Sequence, residues 1–188
     1  MTKNKKKLFS VISLNVKGLS DSSKRHSTFT SLRSHPSDII LLQETNISPL
    51  QITFVQSQWF LPSFWNHYTA ILINNKNIII EKIQEHHGGH HQVLEFSLNG
   101  NTYKVNNIYA PPQRPERLVF WSKVSISSNI ECINLVEGNF NCVLNPNRDR
   151  KSSAPYHIDK SASQIHQKLT DFIDCYPQLQ QLLSLLFL

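Results

Sequence analysis

The chain has 188 residues and a mass of 21.7 kDa, with 39% hydrophobic, 17% charged and 10% aromatic residues. That balance excludes a disordered chain, which would be richer in charge and poorer in aromatics, and no apolar run reaches the ~18 residues of a membrane-spanning helix. One soluble globular domain with a sizeable core is expected, and a net charge of +6 suits a polyanionic partner.

Lys3, Lys5, Lys6 and Lys7 form a basic arm over residues 1–7, a solvated terminus in preference to a nuclear-localisation signal. Residues 8–16 (LFSVISLNV) are β-branched and apolar, the pattern of a strand buried on both faces. Residues 21–34 predict a polar helix carrying Phe29 and Leu32 and ended by Pro36. Residues 38–42 (DIILL) predict a second strand, followed by Gln43, Glu44 and Thr45. Ser48 and Pro49 read as an N-cap and first helical residue, so a short helix is expected over 50–58.

The middle of the chain reads as β. Strands are expected at 68–73 and 78–83, joined through 74–77, and at 92–98 and 102–109, flanking the tight-hairpin pair Asn99-Gly100. Residues 115–124 predict a helix with Pro at its start, 130–136 a buried strand ending at Glu137-Gly138, and 163–175 an amphipathic helix through Ile165, Leu169, Phe172 and Ile173. Mixed strands and helices with a hairpin-rich centre imply an α/β or α+β fold on packed sheets. One domain over residues 8–178 and a Leu-rich tail over 179–188 complete the expected organisation.

Three cysteines, Cys132, Cys142 and Cys175, are an odd number without CxxC spacing, so neither a disulfide framework nor a zinc ribbon is expected. An intracellular protein, nuclear or cytoplasmic and not secreted, follows as the simpler expectation. The run Glu85-His86-His87-Gly88-Gly89-His90-His91 invites a zinc reading. Gly-Gly between two strands is ordinary hairpin punctuation, however, and the adjacent pairs lack a helical ligand spacing. A solvated loop is expected there.

Asn15, Glu44, Tyr109, Asn139 and Asn141 all fall at the C-terminal ends of apolar strands, where functional side chains converge. Each has an ordinary explanation as a turn, solvated or packing residue; together they point to one site. The order Ser13-Leu14-Asn15-Val16, Leu42-Gln43-Glu44-Thr45, Asn107-Ile108-Tyr109-Ala110-Pro111 and Gly138-Asn139-Phe140-Asn141 resembles the exonuclease–endonuclease–phosphatase superfamily. More narrowly, it resembles the apurinic-endonuclease-like domain of LINE-type (non-LTR) retrotransposons.

The resemblance implies a DNase I-like, four-layer αββα sandwich of two packed mixed sheets, here lacking its last strands. It implies hydrolysis of phosphodiesters with Mg²⁺ or Mn²⁺ and, in this subgroup, nicking of target DNA by a monomer. Glu44 matches the metal-binding Glu, and Asn15 the Asn that helps orient the metal site and phosphate, so both are candidate metal residues. Tyr109 matches a phosphate-contacting Tyr, and Asn141 the Asn that holds the attacking water or a phosphoryl oxygen. Arg114, Arg148, Arg150 and Lys151 follow the strand ends and are candidate DNA-phosphate contacts, against a plain reading as solvated charge. Asn139 replaces the family's Asp: an amide of nearly the same shape that neither takes a proton nor carries charge. The family's closing Ser-Asp-His motif has no counterpart here, and neither His157 nor His166 takes its role. The competing expectation is a catalytically inactive retrotransposon remnant that at most binds nucleic acid.

Overall fold

The computed structural model describes residues 9–126, 132–143 and 159–169. They build two four-stranded mixed sheets packed face to face with helices on both outer faces. The first sheet holds β1 (Val11–Asn15), β2 (Ile39–Gln43), β3 (Ser63–Trp65) and β4 (Thr69–Ile73) in the order β1-β2-β4-β3. The second holds β5 (Ile79–His86), β6 (His91–Leu98), β7 (Asn101–Tyr109) and β8 (Ile133–Asn139) in chain order. β1 and β2 pair in parallel, as do β7 and β8; the other pairs are antiparallel. The expected four-layer sandwich is the observed architecture.

Alternation of side chains along each strand divides the core. Ile39 and Leu41 of β2 and Ile71 and Ile73 of β4 face the second sheet, where Leu94, Phe96, Tyr103 and Val105 meet them. Their neighbours Ile40, Leu42, Ala70 and Leu72 face outward, under Phe29 and Leu32 of α1 (Ser22–Ser34) and Val55 of α2 (Ile52–Ser57). This explains why residues 39–42 form an unbroken apolar run: both faces of β2 are covered. On the far side, Ile108 and Ala110 pack under Phe120 and Trp121 of α3 (Arg114–Lys123) and Ile165 of α4 (Lys160–Lys168). Arg117 clamps the two helices together through Asp159, at 2.6 Å.

Local chemistry sets most boundaries. Asp21 caps α1 by accepting from the Lys24 amide at 2.7 Å. Asn99 and Gly100 both take positive φ (53° and 75°), as a two-residue hairpin demands, and place Leu98 opposite Asn101. Asp159 caps α4, which therefore begins before residue 163; Phe172, Ile173 and Cys175 lie outside the described residues, as do residues 1–7 and 179–188.

Four expectations are corrected. β1 is only partly buried, with Leu14 40% exposed, because among the described residues it pairs on one side only. Ser48 makes no backbone cap: its hydroxyl bonds the Gln51 side chain, and the helix opens with a 3₁₀ turn at Pro49–Gln51. β3 has no counterpart in the sequence reading, since three residues are too few to show a period. Residues 86–91 are not simply a solvated loop, although β5 and β6 do form the expected antiparallel pair. His91 is 1% exposed, its Nε2 bonding Asn106 Oδ1 at 3.1 Å.

Among the described residues no group of three His, Cys, Asp or Glu side chains is placed to hold a metal, so the zinc reading gains nothing. Burial pushes the His91 imidazole down to about 4, below its ordinary 6.5. The unfolded chain therefore takes up this proton first, and stability is full above pH 6.5 and falls as pH drops toward 4. A loss of roughly 3 kcal/mol is expected across that window. Urea titrations at pH 7 and pH 4.5 check this; a His91→Gln variant should lose less than the parent.

Candidate active site

Two parallel strand pairs, one in each sheet, end at the same edge of the sandwich. Asn15 stands opposite Gln43 at the end of β1–β2, and Tyr109 stands opposite Asn139 at the end of β7–β8. The carboxyl ends of parallel strands are open to solvent while their flanks are packed, which is why ligand sites collect there. A polar bridge through the core holds the two ends in register. Asn107 Nδ2 donates to the carbonyls of Leu42 and Ala70, at 3.1 and 3.0 Å, and its Oδ1 accepts from Gln43 Nε2 at 2.7 Å. Asn107 is fully buried, so these bonds are made without competition from water. Gln43 and Asn107 are legible only as motif positions; the sole further signal is Gln43 closing an otherwise apolar strand.

Just past β2 the chain turns sharply. Glu44 takes φ 56°, a left-handed conformation that costs a non-glycine residue on the order of 1–2 kcal/mol. Neighbouring backbone bonds hold it: Gly18 N to Glu44 O at 2.6 Å, and Thr45 N to Tyr68 O at 3.2 Å. The turn presents a half-buried carboxylate whose Oε1 accepts from Asn15 Nδ2 at 2.7 Å. Asn15's own Oδ1 accepts from the Lys17 amide at 3.0 Å, and this fixes which way its side chain points. Asn15 thus holds the Glu44 carboxylate through its side-chain nitrogen.

From the other sheet, the Tyr109 phenol is placed against Glu44 and Asn141. Burial, then the nearby Glu44 charge, push the phenol above its ordinary value, so it stays protonated. Asn141, at φ 48°, is pinned by Nδ2 to Ala110 O at 2.7 Å. Asn139 turns back on its own loop, its Oδ1 accepting from the Asn141 amide at 3.0 Å. Glu44, Asn15, Tyr109 and Asn141 are therefore one connected group, and Asn139 braces it from behind. Arg114 stands at the start of α3, partly exposed and 3.8 Å from Asp159. Arg148, Arg150 and Lys151 lie outside the described residues.

This combination of layers and strand order defines a DNase I-like fold. The fold recurs in truncated TDP2 from Caenorhabditis elegans (TM-score 0.54, 23% identity, covering 72% of this chain and 63% of that one). It recurs in the 3′ phosphatase NExo from Neisseria, bound to a product DNA hairpin (TM-score 0.52, 15% identity, 87% and 71%). In sequence the chain is similar to an uncharacterized 149 kDa protein of transposon TX1 from Xenopus laevis, 26% identical over 175 residues. That match takes in 87% of this chain but spans only 13% of the transposon protein. No family model matches the chain. Among the described residues no helix is long and apolar enough to cross a membrane.

Proposed function

We propose that the chain is a metal-dependent phosphodiesterase that nicks DNA, of the kind a LINE-type retrotransposon uses on its target, slowed here by Asn139. The observation that carries this reading is the meeting of Glu44 and Asn15 from one sheet with Tyr109 and Asn141 from the other. The donor set fits Mg²⁺ or Mn²⁺. Such a cation keeps most of its waters and needs only one or two carboxylates plus a substrate phosphate, and Glu44 would hold it. When bound, the metal supplies Lewis-acid stabilisation of charge on the phosphoryl oxygens.

The chain's own groups do the rest. Asn15 orients the Glu44 carboxylate, and the protonated Tyr109 hydroxyl and the Asn141 amide are neutral donors for phosphate oxygens. The basic excess favours the DNA backbone through counterion release, with Arg114, Arg148, Arg150 and Lys151 as phosphate contacts. The protein acts as a monomeric domain spanning residues 8–178, inside the cell in nucleus or cytoplasm. Burial raises the Cys142 thiol to about 11, a poor starting point for disulfide chemistry.

Incubation with supercoiled plasmid tests the reading. Slow conversion to open circles is expected with Mg²⁺ or Mn²⁺, stopped by EDTA and reduced at least about 100-fold by Glu44→Ala. Nicking that survives both treatments would overturn it. Asn139 itself favours a second reading, a nucleic-acid-binding module without catalysis. That reading requires no nicking but a salt-dependent affinity for DNA.

A further inference from the structure

Beside the Glu44 site lies a cluster of aromatic rings that the hydrolytic residues do not explain. The Tyr68 ring stacks on the His90 imidazole with centroids 4.0 Å and planes 21° apart. His90 in turn lies 17° from the plane of Tyr109, at 5.7 Å. Tyr68 itself lies 6.0 Å from Tyr109 with planes 35° apart, so the three rings form a compact triangular cluster in which half-buried Tyr68 also meets the exposed His67 edge-on at 4.6 Å. Tyr68 belongs to none of the three apolar clusters that make up the core.

The cluster is rigidly built. Asn66 Oδ1 accepts from the amides of Tyr68 and Thr69, both at 2.8 Å, and its Nδ2 donates to Glu85 Oε2 at 3.0 Å. Thr45 Oγ1 donates to the carbonyls of Asn66 and His67, tying this loop to the turn that carries Glu44. Thr69 Oγ1 donates to Gly89 O at 3.0 Å, and His90 Nδ1 bonds Tyr109 O at 2.6 Å, so the β3–β4 and β5–β6 loops are locked together. A Cβ on Gly89 would press on the Asn66 amide at 3.0 Å, which leaves this close approach to glycine. Burial lowers the His90 imidazole below its ordinary value, so at neutral pH the ring is an uncharged flat surface.

A preorganised aromatic cluster with Tyr68 stacked on His90 beside a phosphate site suits a flat π-ligand. Bases within a duplex already stack on each other, whereas an unpaired base has a free face to offer. We propose that Tyr68, backed by His90 and Tyr109, is a stacking shelf for an unpaired DNA base flanking the phosphate held at Glu44. The proposal rests on the phosphodiesterase reading only for the position of that phosphate.

Binding of the full chain is measured without divalent metal, using a short oligodeoxyadenylate, an abasic oligonucleotide of the same length, and a duplex. Tyr68→Ala should weaken the oligodeoxyadenylate roughly tenfold and leave the abasic strand and the duplex unchanged. Tyr68→Phe should bind as the parent does, and Tyr68→Leu, which keeps apolar bulk without a π-face, should behave as Tyr68→Ala. An affinity that ignores Tyr68, or an equal loss on the abasic strand, overturns the shelf even if Glu44-dependent nicking stands. Base-dependent binding without any nicking would overturn the hydrolytic reading and leave the shelf in place.

Discussion

Replacing Asn139 by Asp is expected to raise plasmid nicking on the order of 100-fold. A positioned general base or acid contributes about 10²–10⁴ in rate, and an amide supplies none of it because it neither accepts nor gives up a proton at neutral pH. The substitution should leave the fold untouched. Asn139 Oδ1 accepts from the Asn141 amide, and a carboxylate oxygen makes the same bond with added charge. Asn141 and, through it, the Tyr109 hydroxyl therefore keep their places. The check is a nicking time course beside a thermal melt of both proteins. A folded Asn139→Asp variant that nicks no faster than the parent would count against the hydrolytic reading and favour a binding module.

Gly138→Ala should cost at least about 3 kcal/mol of stability, because it combines a forbidden backbone conformation with a steric overlap. Gly138 sits at φ 146°, open to glycine but strained for any L side chain. It lies directly opposite Ile108 in the parallel β7–β8 pair. An added Cβ would overlap the Ile108 carbonyl oxygen and come within 2.8 Å of its carbonyl carbon and its nitrogen. Relief would require β8 to move away from β7, and Asn139 and Asn141 would move with it. Urea denaturation measures the effect, and a loss below about 1 kcal/mol would show that the strands part easily. The same glycine lets β8 run on to Asn139, past the end expected at Glu137-Gly138.

Strand and helix types were written locally. The Asn99-Gly100 hairpin and the apolar strand at β2 each depend on a few adjacent residues, and each is found where the sequence puts it. Connections between layers were less legible. Residues 74–77 join β4 to β5 not as a hairpin but as a crossing from the first sheet to the second. Nothing in four polar residues distinguishes the two, because the choice is made by which sheet edge can cover Ile78 and Phe96. The buried His91 was hidden for the same reason: a histidine run reads as solvent-exposed until its strand is seen packed beside Asn106.

The sequence by itself determined an α/β or α+β fold on packed sheets and the polar residues at the strand ends, while the αββα layering and the carboxylate lost at Asn139 were implied by the family resemblance. Those features lie in short windows where periodicity, caps and motif spacing act. Only the tertiary structure decided which ends meet and how each side chain is aimed. Asn15 and Glu44 are 29 residues apart and Gln43 and Asn107 are 64 apart, yet each pair is joined by a 2.7 Å hydrogen bond. Such contacts depend on sheet packing and on a buried amide bridge rather than on any local preference. They bring Asn15 and Glu44 of one sheet to the same edge as Tyr109 and Asn141 of the other.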